Sequence, residues 1–142
     1  MVNTEKQYII TKVLSANDTG ETGGHQAGIL VPKNHNILGF FPPLDATEKN
    51  PRRHLAFYDE ENERWIFAFI YYNNRFFGGT RNEYRLTRMT PFIRQSNLKL
   101  GDELIFKKEE GKRLIRYKRN RDKEAVKDGV LRLGSDWKII QI

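Results

Sequence analysis

The sequence predicts a mainly β, barrel-like domain that carries one or two short helices. About seven or eight short runs of β-branched and aromatic residues recur along the chain. Clusters of Gly, Pro, Asn or acidic residues separate these runs and mark turns. Many short strands with few helical segments are typical of a barrel of mixed or mostly antiparallel strands.

The first half of the chain contains four of the predicted strands. They are Tyr8–Leu14, Gly28–Val31, Leu55–Tyr58 and Arg64–Tyr72. Pro32 stops the second of these strands, and the acidic turn Asp59–Glu63 joins the last two. The fourth strand is almost continuously apolar, which predicts a central position with both faces covered. A polar, glycine-rich loop over 15–24 and a short helix over 36–41 fill the intervals.

The second half of the chain predicts a loop, a hairpin and a closing strand. Residues 73–80 form a loop that contains Gly78 and Gly79, and Glu83–Arg88 follows as a strand. Two apolar runs flank the turn Glu109–Lys112 and indicate a hairpin. Its strands are Glu103–Lys108 and Arg113–Arg119. The pattern further predicts a helix over Asp122–Val130 and a final strand over Asp136–Ile142.

Length and composition restrict the class of protein. The 142 residues fit a single domain over 1–142. No apolar run approaches the length of a membrane-spanning helix, and no apolar signal core follows the N-terminus. Cysteine is absent, which excludes disulfides, thiolate zinc sites and cysteine nucleophiles and fits a reducing cytoplasm.

The charge of the chain points to a polyanionic partner. The net charge is +7 and the pI is about 9.7, which a merely basic, soluble surface would also give. The distribution favours a partner: between Asn73 and Thr90 there are four arginines, no lysine and a single acidic residue, Glu83. Arginine in such excess suits bidentate recognition of phosphate or guanine.

Two segments resemble one known family. The first runs from Ser15 to Pro32 and includes the glycine-rich loop; the second runs from Ile70 to Arg88. Both resemble the N-terminal effector-binding domain of EcoRII-type restriction endonucleases, in the same order and at a similar separation. A third, weaker match over Leu100–Phe106 resembles a strand found in DNA-binding pseudobarrels, including those of plant transcription factors.

The resemblance implies a fold and a function. The fold is a seven-stranded open pseudobarrel flanked by short helices, with two arms that grip the duplex, here residues 15–28 (arm 1) and 73–88 (arm 2). In that family the domain reads a short pseudo-palindromic site of the CCWGG type and does not cut DNA. Cleavage belongs to a separate catalytic domain, which we expect in the parent protein outside this chain.

Arm 1 offers backbone and side-chain groups for DNA. Gly20, Gly23 and Gly24 allow close approach of the backbone to phosphates, although an ordinary surface loop would look similar. Gln can bind adenine through two hydrogen bonds, and Asp can accept one from cytosine N4. The candidate contact residues are Asn17, Asp18, Thr19, Thr22, Gly23, Gly24, His25 and Gln26.

Arm 2 carries the arginine cluster. Arg75, Arg81 and Arg85 are candidates for guanine or phosphate contacts. Glu83 either accepts from cytosine N4 or holds the arginines in place by ion pairs. Some family members have Lys where this chain has Gly79, so that contact is missing or replaced. The candidate residues are Asn73, Asn74, Arg75, Arg81, Asn82, Glu83, Arg85 and Arg88, with Lys33 and Arg88 assigned to phosphates.

Enzymatic sites are weaker interpretations. Asp102, Glu110 and Lys112 fit the acidic…Glu-x-Lys pattern of metal-dependent nucleases, but Glu110 and Lys112 fall in the predicted hairpin turn. The three histidines, His25, His35 and His54, have no zinc-ligand spacing. Ser15 and Ser96 lack the Gly-x-Ser-x-Gly context of a hydrolase.

A pair of aromatic residues in arm 2 leaves one more alternative. Phe76 and Phe77 either stack on bases, as in single-strand binders, or anchor arm 2 to the barrel. We expect the second. The sequence thus predicts a non-catalytic reader of duplex DNA in the major groove, without cofactor or metal. We expect it to bind as a monomer and to serve a restriction–modification system in a prokaryotic cytoplasm.

Overall fold

The computed structural model describes residues 8–21, 28–120 and 136–140. Its strands are β1 (Tyr8–Val13), β2 (Ile29–Val31), β3 (Arg52–Tyr58), β4 (Arg64–Tyr72), β5 (Glu83–Thr87), β6 (Glu103–Glu109), β7 (Lys112–Lys118) and β8 (Trp137–Ile140). Its helices are α1 (Ala16–Thr19), α2 (His35–Leu38), α3 (Thr90–Gln95) and the 3-10 helix Asn74–Phe77. The predicted helix Asp122–Val130 and the last two residues of the predicted final strand lie outside the described residues.

The strands form one curled, open sheet in the order β2-β5-β4-β3-β7-β6-β1-β8. The mainly β prediction is confirmed, and the sheet has eight strands where the resemblance implied seven. All neighbouring strands are antiparallel except β3 and β7, which run parallel and share the single register pair Tyr58 and Leu114. The sheet therefore consists of two four-stranded halves, β2-β5-β4-β3 and β7-β6-β1-β8, joined through one short contact.

A side chain bridges the two free edges of the sheet. Trp137 of β8 donates a hydrogen bond from its indole nitrogen to the Leu30 carbonyl of β2, at 2.9 Å. This bond spans the seam between the edge strands, where the backbones do not pair. The barrel is thus closed along this seam by a side chain.

The core lies inside the curl of the sheet. Alternate residues of the strands face inward, so that Ile10, Phe57, Phe106 and Ile115 are each 0% exposed. Phe40, which follows α2, packs edge-on against Tyr8 and near Phe57 and Phe106. Aromatic side chains thus fill the interior at the end of the barrel where β1 begins.

Strand β4 occupies the same residues that its apolar pattern predicts. Its central residues Phe67–Ile70 are buried in succession, because the sheet interior covers one face and neighbouring segments cover the other. Phe41 stacks on Phe69 with 4.5 Å between ring centroids. The prediction of a central strand covered on both faces is confirmed for this stretch.

Two helices differ from the sequence prediction. The loop predicted over 15–24 begins with α1, which is nucleated by a capping box between Ser15 and Asp18 and ends at Gly20, whose φ is 85°. Helix α3 was not predicted; it has Pro91 in its first turn and buries Phe92 and Ile93. Within the described part of the chain, no helix is long and apolar enough to span a membrane.

Candidate nucleic-acid interface

A buried ion pair holds arm 1 to the barrel. Lys12 of β1 lies 3.4 Å from the Asp18 carboxylate, and their side chains are only 7% and 8% exposed. The same carboxylate accepts from the Ser15 N–H at 2.9 Å, and the Ser15 hydroxyl accepts from the Asp18 N–H at 3.1 Å. Asp18 therefore fixes the geometry of α1, and its burial argues against the contact with cytosine that the sequence suggested.

Among the other described residues of arm 1, Thr19 and Glu21 form hydrogen bonds within the protein, and Asn17 is exposed. The Thr19 hydroxyl donates to the Ala16 carbonyl at 3.1 Å and to Glu21 at 2.7 Å. Glu21 in turn accepts from the Leu100 N–H at 2.7 Å, which ties arm 1 to the segment before β6. Asn17 is exposed. Thr22, Gly23, Gly24, His25 and Gln26 lie outside the described residues, so their assignment stays a prediction.

Asn73 anchors the root of arm 2. Its side chain is 0% exposed. The amide oxygen accepts from the Asn50 N–H at 2.7 Å, and the amide nitrogen donates to the carbonyls of Ala46 and Glu48 at 3.2 and 2.8 Å. Because both ends of the side-chain amide are hydrogen-bonded within the protein, Asn73 positions arm 2, and its burial argues against the direct DNA contact that the sequence suggested.

Asn74 closes the tip of arm 2 into a compact loop. Its side chain accepts from the Arg81 N–H and its carbonyl from the Gly79 N–H, both at 2.7 Å. The Arg75 N–H donates to the Arg81 carbonyl at 2.9 Å. A Cβ at Gly79 would lie 2.6 Å from the Asn74 side chain. A residue larger than glycine at that position would thus require Asn74 to move.

Three charged side chains from the end of arm 2 and from β5 form one cluster. Glu83 accepts through its Oε2 from Arg81 at 2.8 Å and from the Nε of Arg85. Arg81 also lies 3.8 Å above the Tyr72 ring. Arg85 donates a further bond to the Gly28 carbonyl at 3.0 Å, which links the two arms.

The electrostatics of the cluster keep Glu83 ionised. Burial acts to raise the pKa of Glu83, but the hydrogen bonds and positive charges of Arg81 and Arg85 together outweigh it, so that the pKa lies below its ordinary value. A carboxylate held by two guanidinium groups is pre-organised for recognition, because the arginines are fixed before any ligand arrives.

Stacked tyrosines support the cluster from the opposite face of the sheet. The ring centroids of Tyr71 and Tyr84 are 4.2 Å apart, and the two rings are inclined by 7°. Tyr84 also stacks on Phe69, with 5.7 Å between the ring centroids. The Tyr71 hydroxyl donates to the Asn82 side chain at 2.7 Å. Sequence patterns alone give no role to Tyr71 and Tyr84, although their pairing follows once β4 and β5 are recognised as antiparallel neighbours.

A cleft lies between the two arms. It has a volume of about 270 Å³ and is lined by Asn17 and Gly28 of arm 1 and by Tyr72, Arg81 and Arg88 on the other side. Arg75, Arg88 and Lys33 are exposed. The described parts of both arms therefore meet at one surface, as the resemblance implied.

The tip of arm 2 presents two aromatic rings to solvent. Phe76 is 65% exposed and Phe77 is 44% exposed. This exposure does not support the expectation that the rings anchor arm 2 to the barrel; the hydrogen bonds of Asn73 to Asn50, Ala46 and Glu48 hold the root of the arm.

The geometry contradicts the candidate nuclease site. Asp102 is 0% exposed and accepts from the backbone N–H groups of Lys99 and Asn120 at 2.8 and 2.9 Å. Glu110 lies in the β6–β7 turn, at the opposite end of a seven-residue strand, which is roughly 23 Å away. Over residues 8–21, 28–120 and 136–140, no group of three or more His, Asp or Glu side chains could hold a metal ion.

Comparison with known proteins gives the family. A family model described as the N-terminal domain of the restriction endonuclease EcoRII matches residues 3–103. The type II restriction enzyme EcoRII of Escherichia coli is 43% identical over 89 residues, which is 59% of this chain and 21% of that protein.

Plant proteins match over more of the chain. The B3 domain-containing transcription repressor VAL2 of Arabidopsis thaliana is 29% identical over 83% of this chain, and auxin response factor 4 of the same plant is 31% identical over 73%. The chain spans 14% and 12% of these two relatives. By the match over residues 3–103, the chain belongs to the EcoRII N-terminal domain family.

Proposed function

We propose that this domain binds double-stranded DNA and reads a short sequence in the major groove. The observation that carries the proposal is the cluster of Arg81, Glu83 and Arg85, in which Arg81 lines the cleft between the two arms and Glu83 binds both arginines. Arginine recognises guanine O6 and N7, and a carboxylate accepts from cytosine N4, so such a cluster matches a site made of G·C pairs. The likeness to EcoRII and to B3 domain-containing transcription factors supports the same function.

The hydrogen bonds within the cluster distinguish the roles of its members. Both arginines bond Oε2 of Glu83, which leaves Oε1 to accept from a cytosine amino group. Arg85 donates from its Nε to Glu83 and from its Nη1 to the Gly28 carbonyl, so it mainly positions the other groups. Arg81 uses only Nη2 and retains Nε and Nη1 for DNA. We therefore assign guanine to Arg81 and cytosine to Glu83.

Charge is distributed to favour DNA at the cleft. Arg88 lines the cleft, and Arg75, Arg88 and Lys33 are all exposed; we assign them to phosphates, which fix the register of the protein on the duplex. The acidic turn between β3 and β4 is separated from arm 2 by the nine residues of β4, or roughly 30 Å. Asn17, together with His25 and Gln26, is assigned to base edges from arm 1.

The family supports a proposal for the wider setting of the domain. We infer that the domain binds one duplex as a monomer, because two unlike arms suffice to hold it, and that it acts without cofactor. We place it in a prokaryotic cytoplasm as the effector or target-recognition domain of a restriction endonuclease whose catalytic domain recognises or receives the same DNA. A CCWGG-type sequence is the first site to test.

A gel-shift titration tests sequence reading. A duplex with CCWGG is compared with the same duplex after one G·C change, in about 0.1 M salt, where nonspecific attraction is partly screened. We expect a preference of about tenfold or more, equivalent to about 1.4 kcal/mol. Glu83→Ala or Arg81→Ala should cost about 1–3 kcal/mol on the preferred site and little on the altered one.

Arg88→Ala is the matched control. Arg88 is exposed and assigned to phosphate, so its loss should weaken both duplexes equally and reduce the salt dependence. If the Glu83 and Arg81 variants also lose equally on both duplexes, they do not read bases and the proposal fails.

The exposed rings of Phe76 and Phe77 favour a second candidate, a nonspecific binder of single strands. Aromatic stacking on a base is worth about 1–3 kcal/mol and is tolerant of sequence. Competition between duplex and single-stranded oligonucleotides separates the two functions. A preference for the single strand that Phe76→Ala abolishes would replace the duplex proposal.

A further inference from the structure

Three cationic side chains converge at the end of the barrel where β1 begins. Lys108 of β6 and Arg113 of β7 are directly opposite each other across the hairpin. Both side chains face inward. Phe106, two residues before Lys108, and Ile115, two residues after Arg113, lie on the same faces of their strands and are buried in the core. Arg53 of β3 faces the same way, two residues before buried Leu55, and its charge acts on Arg113. We call Arg53, Lys108 and Arg113 the cationic mouth.

The described residues provide no acidic partner for the cationic mouth. None of its three members takes part in an ion pair with another described residue. The Nε of Arg113 is buried and has no hydrogen-bond partner. A buried donor without a partner costs about 1–3 kcal/mol, and like charges directly opposite each other in a sheet are destabilising. Among the described residues, the arrangement is therefore unfavourable.

Aromatic rings offset only part of this cost. The Lys108 ammonium lies 5.3 Å from the centre of the Phe40 ring and 5.7 Å from that of Tyr8. Burial, and then the charge of Arg113, lower the pKa of Lys108. Burial, and then the charge of Arg53, lower the pKa of Arg113. Both groups thus experience an environment that lacks negative charge.

We propose that the cationic mouth binds an anion of the phosphate type. Such an anion carries several oxygen acceptors, so it can receive the unpaired Nε–H of Arg113 and contact Lys108 and Arg53 together. The mouth faces the inside of the barrel, whereas Glu83 and Arg85 lie on the outer face of β5, whose inward residue Leu86 is 0% exposed. The two sites are distinct, and the anion site does not depend on the proposed DNA-reading role.

Thermal unfolding of the whole domain tests the site. Melting is compared in sodium phosphate and in sodium chloride of equal ionic strength, since phosphate also stabilises proteins without a site. At about fifty times its dissociation constant, bound phosphate should raise Tm by about 8 °C beyond chloride. Lys108→Met and Arg113→Met should lose this gain. Lys107→Met, one residue along β6 on its other face, should retain it.

Two results would overturn the proposal. One is an equal Tm in phosphate and chloride for the unmodified domain, and the other is the same gain in all variants. If Lys108→Met or Arg113→Met fails to fold, the exposed Arg53 replaces it as Arg53→Met, because its substitution does not disturb the core.

DNA binding by the same variants identifies the source of the anion. If Arg113→Met weakens binding to any duplex and lowers the salt slope by about 1, the anion is a backbone phosphate. If DNA affinity is unchanged while the phosphate-dependent Tm gain is lost, the anion is free or is carried by another molecule. Failure of sequence preference in the gel shift leaves the Tm experiment unaffected, so the two proposals fail separately.

Discussion

Replacing Lys12 with Met should destabilise the domain by about 3 kcal/mol, because removal of one partner from a buried ion pair leaves an uncompensated charge. Lys12 and Asp18 are 7% and 8% exposed. Met retains the apolar length of the lysine side chain, so the change removes mainly the charge. Asp18 would keep its bond from the Ser15 N–H but lose the only cation within 4 Å in the described structure.

Urea denaturation measures this loss. The midpoint should fall while the slope m stays constant, because the folded and unfolded surfaces are unchanged. Lys138→Met is the matched control: Lys138 of β8 lies 3.8 Å from Glu103 but is 66% exposed, and an exposed pair contributes about 0–1 kcal/mol.

Binding adds a second measurement. Because Lys12 holds α1 through Asp18, Lys12→Met should also weaken duplex binding, whereas Lys138→Met should change it little. A loss of stability no greater than that of Lys138→Met would refute the reasoning, since it would mean that the pair is as weak as an exposed one. Lys12→Met with Asp18→Asn, which removes both charges but keeps a side-chain oxygen to accept from the Ser15 N–H, should recover much of the stability.

Three further predictions concern other contacts. Glu83 contributes stability that is present above its ordinary pKa and lost as pH falls through the lowered value, so Glu83→Gln should make unfolding less sensitive to acid between about pH 6 and about pH 3. Equal pH profiles would contradict the ion pairs. Asn73→Ala should cost about 3 kcal/mol in urea, because it leaves the Asn50 N–H and two carbonyls unpaired; a loss below about 1 kcal/mol would exclude the anchoring role. Trp137→Phe should cost about 1 kcal/mol through the lost bond to Leu30, and unchanged stability would show that the seam bond contributes nothing.

Much of the sheet follows from local sequence patterns. The continuous apolar run of β4 and the alternation on both sides of the Glu110–Gly111 turn predict strands whose bounds agree with the structure within one residue. These strands have a clear pattern of apolar residues and are bounded by turn residues. The local sequence therefore favours the same strands that packing in the folded domain requires. The fold class and the family resemblance were accessible for the same reason.

The short helices were harder to predict. Helix α1 has only four residues, too few for a hydrophobic period, although the Ser15-x-x-Asp18 spacing is a capping-box signal that identifies it. Helix α3 buries just two side chains. The Thr90-Pro91 pair marks its start, since proline is favoured in the first turn of a helix.

The roles within the site depend on contacts that local sequence patterns do not show. Asp18 and Asn73 are polar residues in candidate DNA-binding loops, so the sequence offered no reason to separate them from their neighbours. Their partners decide their roles: Lys12 lies on the preceding strand β1, and Asn50 is 23 residues from Asn73. By contrast, the alternate spacing of Glu83 and Arg85 places both on one face of β5, just after Arg81, which local sequence does reveal.

The narrow junctions of the sheet have a mechanical consequence. Backbone pairing between the two halves is limited to the Tyr58–Leu114 contact, and the Trp137–Leu30 bond is the fastening on the other side. Arm 1 begins on one half, after β1, and ends at Gly28 on the other half, where Arg85 of arm 2 binds it. We expect a duplex seated between the arms to strain the two junctions. The elastic cost would depend on the width of the DNA groove, so that DNA shape would contribute to selection alongside the base edges.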